Sequence, residues 1–493
     1  MTPNDAGSPF HPAQADAILT NFDMLELARQ KPIHFMGIGG AGMSPLADLI
    51  RRSGGMVTGC DSRVGASTLA LRDAGVDVRD GHAADHIAGC AALIVTSAVP
   101  ADHPEILAAR SAGIPVLKRA QALGAIVNRG TVVGIAGTHG KTSTTALTTA
   151  ALAAGGLDPT GLVGGHVSAW GGNLRLGGDR LFVVEADEYD RSFLTLRPTI
   201  AVVTTLEADH LDIYETLAGV EEAFLAFLER VPEDGRIIGC GDDHGVARLL
   251  PRLGAATDRV LTYGLNAGSM LRAENVRAAG TETSFQVRER GELLGEVRLR
   301  VPGVHNVRNA LAAIAVARQL GVAWETIAQG IGSYAGVQRR FEHIGEADGV
   351  LVVDDYAHHP TEIAATLNAA RQAFPERRLV AVFQPHLYSR TRDFAAEFGR
   401  SLALADLVFV TDIYAAREKP IEGVTGEMIV AHARDAGADI RYVPRREDIT
   451  AEVSAELCPG DLCVTLGAGD LDEAARELVA ALSGTAVGDS LAS

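Results

Sequence analysis

Short apolar runs recur along this chain, separated by stretches in which apolar positions return every third or fourth residue. After a polar leader, the runs Ile33 to Met36, Met56 to Cys60 and Ala92 to Thr96 predict strands, and Ser44 to Ser53 and Ser67 to Gly75 predict the helices between them. Strand, helix, strand at this spacing predicts a parallel, doubly wound sheet. A second unit starts at Thr131 with TVVGIAG, enters a helix rich in Ser, Thr and Ala, and returns with the strands LFVVEAD and IAVVTTL. The period then changes. Thr283, Phe285 and Val287, followed by Val297, Leu299 and Val301, alternate around a glycine-containing turn, which predicts an antiparallel hairpin. A helix is expected over Asn306 to Leu320, and Tyr334 to Gln338 reads as a hinge. Beyond it VLVVDD, RLVAVFQP, DLVFVTD, DIRYVP and DLCVTLGAG alternate with helical patterns.

The fold class expected is therefore α/β in three domains: a Rossmann-like first domain, a P-loop ATPase-like central domain with a small antiparallel hairpin sheet, and a Rossmann-like last domain. Boundaries are placed at 1–30 for the leader, 31–128, 129–336 and 337–485 for the domains, and 486–493 for a tail. The 493 residues agree with three domains at about 150 residues each. With 47% hydrophobic and 22% charged residues, disordered and collagen-like classes are excluded. Lys and Arg total 44 against 62 Asp and Glu, and the resulting −18 repels nucleic-acid backbones at long range. Lysine is scarce: only Lys31, Lys118, Lys141 and Lys419 occur. The cysteines Cys60, Cys90, Cys240, Cys458 and Cys463 are scattered without a C-x-x-C pair and read as small buried hydrophobes. The N-terminus lacks a basic-then-apolar signal pattern, and no run is greasy enough for membrane insertion, so a cytoplasmic protein is expected.

Two phosphate-binding patterns stand out. Gly37, Gly39, Gly40, Ala41 and Gly42 belong to a G-x-G-x-x-G that leaves one strand and opens a helix, and Asp61 ends the next strand, near where a ribose-binding acid sits in a dinucleotide fold. Glycines there let backbone amides approach a diphosphate at a helix N-terminus. The second pattern, Gly137-Thr138-His139-Gly140-Lys141-Thr142-Ser143, again lies between a strand and a helix. Lys141 would neutralise β- and γ-phosphate charge and the Thr142 hydroxyl would reach Mg²⁺. It is not a strict Walker A, because Ile135 stands where that motif has glycine. Glu185 and His210 end the following two strands, on the loop side of the sheet, and are candidate Mg²⁺ ligands. Two such loops argue against an ordinary dehydrogenase, which needs one nucleotide site. In the last domain Asp354 to Pro360 and Gln384 to Thr391 follow strands, and Arg340 lies beside the hinge, where it could swing onto phosphate on domain closure.

Read together, these segments resemble the Mur ligases, ATP-dependent amino-acid ligases of peptidoglycan precursor synthesis. GTHGKTS, EADEYDRSFL, EADHLDIY, HNVRNALAA, RRFE and DDYAHHPTE occur in the family's order, from about Ile33 to Gly469. HFMGIGGAGMSPLADL and FQPH point, within the family, to the member that adds the first residue, L-alanine, to UDP-N-acetylmuramate. The resemblance implies ATP and Mg²⁺ as cofactors, UDP-N-acetylmuramate and L-alanine as small-molecule partners, and no obligate protein partner. It implies that Gly37 to Gly42 hold the UDP diphosphate, and that Lys141 and Thr142 hold ATP phosphates and Mg²⁺ together with Glu185 and His210. His305, Asn306 and Asn309 would lie against the adenine, Arg340 and Asp355 would complete the nucleotide site, and Tyr356, His358, His386 and Arg390 would face the muramoyl carboxylate and the amino acid. Lys141, His210, Arg340 and His358 are the expected catalytic groups.

There are two departures from the family pattern. Leu387 stands where many members have Arg, so Arg390 or Arg392 would supply the anion contact. No lysine occurs between Lys141 and Lys419, whereas later ligases of the pathway carry a carbamylated lysine there, which favours the alanine-adding type. Three other readings remain at this stage: a recycling ligase that attaches a tripeptide to the same nucleotide, an NAD-dependent oxidoreductase with a fused ATP-binding domain, and a non-catalytic nucleotide sensor on the same fold.

Overall fold

The structure, a computed structural model, describes residues 23–96, 99–416 and 418–484. Residues 1–22 of the expected leader and the expected tail, 486–493, lie outside the described residues. Asp23 caps a helix over Met24–Gln30, accepting from the Glu26 N–H, and this helix buries Met24 and Ala28. The last residues of the segment read as a polar leader are thus part of the core.

The first sheet contains β1 (Ile33–Met36), β2 (Val57–Asp61), β3 (Asp77–Asp80), β4 (Ala92–Val95) and β5 (Val116–Lys118), in spatial order β3-β2-β1-β4-β5. All neighbours are parallel. β1 and β4 are buried at every position, as expected for central strands covered by helices on both faces. The order reverses beside β1, and such a switch point opens a crevice at the strand's C-terminal end.

The second sheet contains β6 (Thr131–Ala136), β7 (Thr160–Val167), β8 (Gly172–Arg175), β9 (Leu181–Glu185), β10 (Ile200–Val203), β11 (Arg236–Cys240), β12 (Val260–Gly264), β13 (Leu271–Ala279), β14 (Glu282–Glu289) and β15 (Glu292–Leu299). Its order is β15-β14-β13-β12-β11-β10-β6-β9-β7-β8. β6 lies between β9 and β10 and is parallel to both. The expected hairpin is β14 and β15, joined by Arg290 and Gly291 at φ 51° and 90°, the left-handed pair that a two-residue hairpin turn requires. It is not a free-standing small sheet: β13 joins it to the edge of the central one.

The helix Lys141–Ala154 packs against Trp324–Gly332, and its small residues let the backbones approach closely: a Cβ on Gly330 would lie 2.8 Å from Ala151 Cα. Its Thr145 and Thr149 hydroxyls donate to the carbonyls one turn back, Lys141 at 2.9 Å and Thr145 at 2.8 Å, which satisfies them inside the core. Nearby, Phe193 stacks on Phe227 and meets Phe224 edge-on, with centroids 5.0 and 5.2 Å away.

The third sheet contains β16 (Glu342–Ala347), β17 (Val350–Asp355), β18 (Arg378–Phe383), β19 (Leu407–Val410), β20 (Ile440–Tyr442) and β21 (Asp461–Leu466), ordered β16-β17-β21-β18-β19-β20. β17 to β21 are parallel, while β16 runs antiparallel on the edge. The chain divides into two compact units. The first holds the chain up to Glu274 with Gln286–Val297 and Arg308–Tyr334; the second holds Asn275–Phe285, Arg298–Val307 and the chain from Ala335. The change at Tyr334 falls within the expected hinge. Four of the cysteines are buried as expected, but Cys458 is exposed. Among the described residues no helix is long and apolar enough to cross a membrane.

Candidate functional site

Both phosphate loops lie in the first unit. At the end of β1 the chain turns through Gly37 at φ 77°, and the Gly37 and Ile38 N–H groups donate to the Cys60 carbonyl on β2 at 2.8 and 3.1 Å. Gly39 N–H donates to Asp61 Oδ2 at 2.9 Å, and Arg63 N–H to Asp61 Oδ1 at 3.1 Å. Asp61 is thus tied to the glycine loop itself. A Cβ on Gly39 would stand 2.7 Å from Thr68 Cγ2, and one on Gly42 would stand 3.0 Å from the Arg119 guanidinium. Gly40 and Ala41 complete the turn into the helix Met43–Arg52.

The second loop leaves β6. Gly137 and Gly140 take φ values of 140° and 81°, which only glycine adopts without strain. Thr138 N–H donates to the Thr205 carbonyl at 3.0 Å, and His139 N–H to Thr205 Oγ1 at 2.8 Å, pinning the loop to the chain after β10. Ser143 is buried in the first turn of the following helix. Asn309 crowds the loop: a Cβ on Gly140 would fall 2.6 Å from its Oδ1.

Lys141 Nζ donates to the Gly137 carbonyl at 2.6 Å and to Glu188 Oε1 at 2.9 Å. Burial works against its charge, but the carboxylates of Glu188, Asp187 and Glu185 outweigh burial and hold the ammonium above its ordinary pKa. The Thr142 hydroxyl donates to Glu185, 3.1 and 3.0 Å from its two oxygens, and Gly164 N–H donates to Glu185 Oε2 at 2.7 Å. His210, in the left-handed region at φ 52°, reaches the same cluster through Glu188, with Nε2 3.7 Å from Glu188 Oε1. Four carboxylates crowd EADEYD, so spacing alone did not single out Glu188 as the partner of Lys141.

The first loop opens onto a cavity of about 230 Å³, whose walls include Ala41, Gly42, Arg119, Gly164, Asp187 and Glu185, the carboxylate that Thr142 of the second loop bonds. Arg119 Nη2 donates to Asp187 Oδ2 at 3.3 Å, and Lys118 Nζ to Asp190 Oδ2 at 2.6 Å. Lys118 ends β5 and Arg119 follows it, at the binding edge of a parallel sheet. That position was a legible signal, and the motif reading passed over it. Through Glu185 the wall of this cavity is tied to the second loop, an arrangement suited to transferring a phosphoryl group to a substrate held by the first loop.

The second unit holds the remaining candidates. Asp355, buried at the end of β17, accepts from the Phe341 and Ala357 N–H groups, both at 2.8 Å. Burial pushes its pKa up to about 6 although Arg340 opposes the rise. Arg340 stacks over the Tyr356 ring, 5.1 Å from its centroid, with Nη1 3.8 Å from Glu362 Oε1. His358 Nδ1 lies 2.9 Å from the Tyr356 carbonyl and 3.3 Å from Glu362 Oε2. The His358 and His386 rings meet edge-on at 5.7 Å, and Arg390 Nη1 lies 3.4 Å from His386 Nδ1. Tyr356, His358, His386 and Arg390 therefore form one cluster. Leu387 is buried, and Arg392 is half-exposed and paired with Asp393 at 2.7 Å, so of the two arginines only Arg390 belongs to this cluster. His305 and Asn306 also fall in the second unit, where Asn306 Nδ2 donates to the Pro302 carbonyl at 2.8 Å and His305 packs against Gly303.

Family comparison covers most of the chain. Residues 32–131 match the Mur ligase family catalytic domain, 135–317 the Mur ligase middle domain, and 339–469 the Mur ligase glutamate ligase domain. A UDP-N-acetylmuramate–L-alanine ligase of Salinibacter ruber is 46% identical over 466 residues, 94% of this chain and 98% of that protein. One from Geobacter sp. is 45% identical over 440 residues, 89% of this chain and 95% of that protein. Among solved structures, the UDP-N-acetylmuramate-alanine ligase of Thermotoga maritima superposes with a TM-score of 0.78 at 29% identity, covering 92% of this chain and 99% of that one. A murein peptide ligase of Psychrobacter arcticus superposes at 0.69 and 27%, over the same shares. With its two phosphate loops, its three α/β sheets and matches along nearly its full length, the chain belongs to the Mur ligase family.

Proposed function

We propose that this protein ligates L-alanine to the lactyl carboxylate of UDP-N-acetylmuramate at the expense of ATP, in cytoplasmic peptidoglycan precursor synthesis. The observation that carries the reading is that Glu185, which Thr142 of the second loop bonds, shares a cavity with Ala41 and Gly42 of the first loop, in a chain whose relatives of that activity match it at 43–46% identity. The missing lysine between Lys141 and Lys419 supports the alanine-adding type. The weaker superposition on the murein peptide ligase supports it over the tripeptide-attaching alternative.

A carboxylate is a poor acyl donor, so activation has to precede amide formation. In the proposed sequence a carboxylate oxygen attacks the γ-phosphorus in line, ADP leaves, and the alanine amine then displaces phosphate from the acyl phosphate. The Gly37 to Gly42 loop binds the UDP diphosphate at the N-terminus of the helix Met43–Arg52. The N–H groups of the Gly137 to Ser143 loop cradle the ATP phosphates, and Lys141, now paired with Glu188, neutralises charge that develops on the transferred group. A cavity lined partly by Leu46, Leu123 and Leu162 keeps water from the acyl phosphate. Arg340, Asp355 and His358, with the His386 and Arg390 pair, are assigned to the nucleotide, the carboxylate and the incoming amine as the family resemblance implies.

The hydroxyl of Thr142 and the carboxylate of Glu185 are oxygen donors that suit Mg²⁺, and a Cβ on Gly164 would touch both Glu185 oxygens at 3.4 Å, so the backbone there leaves space. Thr142, Glu185 and His210 would hold the ion, which would neutralise phosphate charge when bound.

The test is phosphate release, which should require UDP-N-acetylmuramate, ATP, Mg²⁺ and L-alanine together. With ¹⁸O in the lactyl carboxylate, one label should appear in the released phosphate. Unlabelled phosphate would remove the acyl phosphate from the account, and release without alanine would remove the ligase reading.

A further inference from the structure

A second cluster of chemically active side chains lies beneath the glycine loop, outside the machinery described above. His34 on β1, Cys60 on β2, His86 before β4 and Glu105 in the first turn of the helix Pro104–Ser111 each offer one donor atom, and these atoms all lie within 4.8 Å of one another. His34, Cys60 and Glu105 are buried, and only 10% of the His86 side chain is exposed.

We propose that these four side chains bind one divalent transition-metal ion, of the zinc type, in the first domain. Three observations carry this. First, Glu105 is fully buried, and beside it lie two imidazoles, His86 Nδ1 at 3.3 Å and His82 Nδ1 at 3.8 Å. A carboxylate rarely goes so deep without a strong counter-charge. Second, His34 Nε2 and His86 Nδ1 are buried ring nitrogens without a hydrogen bond among the described residues. Third, two spacings already fit: His86 Nδ1 to Glu105 Oε1 is 3.3 Å and Cys60 Sγ to Glu105 Oε1 is 3.4 Å. Tetrahedral zinc with bonds of roughly 2.0–2.3 Å separates its ligand atoms by about 3.3–3.6 Å. The remaining separations close with shifts of about 1 Å.

The chemistry of the set agrees. One thiolate and one carboxylate cancel the charge of a divalent ion, so the occupied site is neutral in its buried setting, and sulfur with imidazole nitrogen selects zinc over magnesium. Outer partners are in place: His34 Nδ1 lies 2.9 Å from Thr58 Oγ1, and Ala83 N–H donates to Glu105 Oε1 at 2.8 Å. His82 Nδ1 lies 3.1 Å from Cys60 Sγ, a second imidazole ready to support the sulfur. The Cys60 carbonyl receives the Gly37 and Ile38 N–H groups, so the ion would brace the strand on which the glycine loop rests. Its role is structural, and it is separate from Mg²⁺ chemistry at Thr142 and Glu185.

The test adds Co²⁺ alone to the metal-free full-length chain. One equivalent should give tetrahedral visible bands and a thiolate-to-cobalt charge-transfer band, both abolished by Zn²⁺. The phosphate-loop cluster has no thiol and cannot give that band. Cys60→Ser should lose it, Cys90→Ser and Cys458→Ser should keep it, and His86→Asn should weaken Co²⁺ binding by at least about 10-fold. Should Cys60→Ser fail to fold, X-ray absorption of the wild-type zinc form decides, with one sulfur and two imidazoles expected around the ion. No charge-transfer band in the wild type, a band that survives Cys60→Ser, or a sulfur-free ion environment would overturn the proposal.

Discussion

Lys141 carries the most chemistry per atom in this molecule. It is largely buried, its ammonium bonds Glu188 and the loop carbonyl of Gly137, and no lysine occurs between it and Lys419. Lys141→Ala should therefore cut ligation by ~100-fold or more, about 3 kcal/mol of transition-state stabilisation. UDP-N-acetylmuramate affinity measured by calorimetry should stay near wild type, because the glycine loop lies in another domain. Asp355 gives a prediction with a sign. Its folded pKa of about 6 lies above the ordinary 3.8, so between those values the folded state binds more protons than the unfolded state. Stability from this group is then greatest below the lower value and falls as pH rises toward neutrality, by about 3 kcal/mol in all. Denaturant unfolding of wild type and Asp355→Asn should show the wild type losing ground to the variant from pH 4 to pH 7. Parallel pH curves would contradict the assignment. Neither the Glu188 partnership nor the buried His34, Cys60, His86 and Glu105 group is legible in the sequence. EADEYD offers several acids at once, and the four metal-type residues are separated along the chain until β1 and β2 pair.

At the scale of elements, the apolar strands were legible almost to the residue. Ile33–Met36 is β1 as expected, and VLVVDD is β17, because central parallel strands must be continuously apolar. The misses include polar edges, β3 as DVRD and β16 as EHIGEA, whose pairing depends on a neighbour rather than on their own composition, and also the apolar inner strands β11 and β12, which the reading passed over. The helix Met24–Gln30 escaped notice because about two turns of amphipathic sequence give too short a periodic signal. The strand–loop–helix at Gly37 yields a test of how a loop is held. In Gly39→Ala the new methyl would meet Thr68 Cγ2 at 2.7 Å and disturb the bond from Gly39 N–H to Asp61. Affinity for UDP-N-acetylmuramate should fall by about 1–3 kcal/mol, with affinity for a non-hydrolysable ATP analogue unchanged. Gly65→Ala, which meets nothing within 4 Å, is the control and should leave both affinities alone. Equal losses for both nucleotides in Gly39→Ala would mean a general folding defect.

For the whole molecule, the charge distribution has a functional logic. A net −18 repels nucleotides at long range, yet Arg119 lines the cavity beside Asp187, and Lys118 and Lys141, two of the four lysines, are paired with Asp190 and Glu188 of the same EADEYD segment. Local cations held by fixed acids bind phosphates without making the surface generally attractive to polyanions. The three-layer α/β plan was legible from the alternation of runs. That Ala41 and Gly42 share a cavity with Glu185, the partner of Thr142, was not, because it depends on the packing of the first two sheets. The central claim is that this cavity joins L-alanine to UDP-N-acetylmuramate. The direct measurement offers the purified enzyme UDP-N-acetylmuramate, ATP and Mg²⁺ with L-alanine, glycine, L-serine or the L-alanyl-γ-D-glutamyl-meso-diaminopimelate tripeptide in turn, and identifies the products by mass. The account predicts the mass of the sugar nucleotide plus one alanine, formed with the highest kcat/KM in the panel. A tripeptide adduct without an alanine adduct would contradict it and make the recycling ligase the correct assignment.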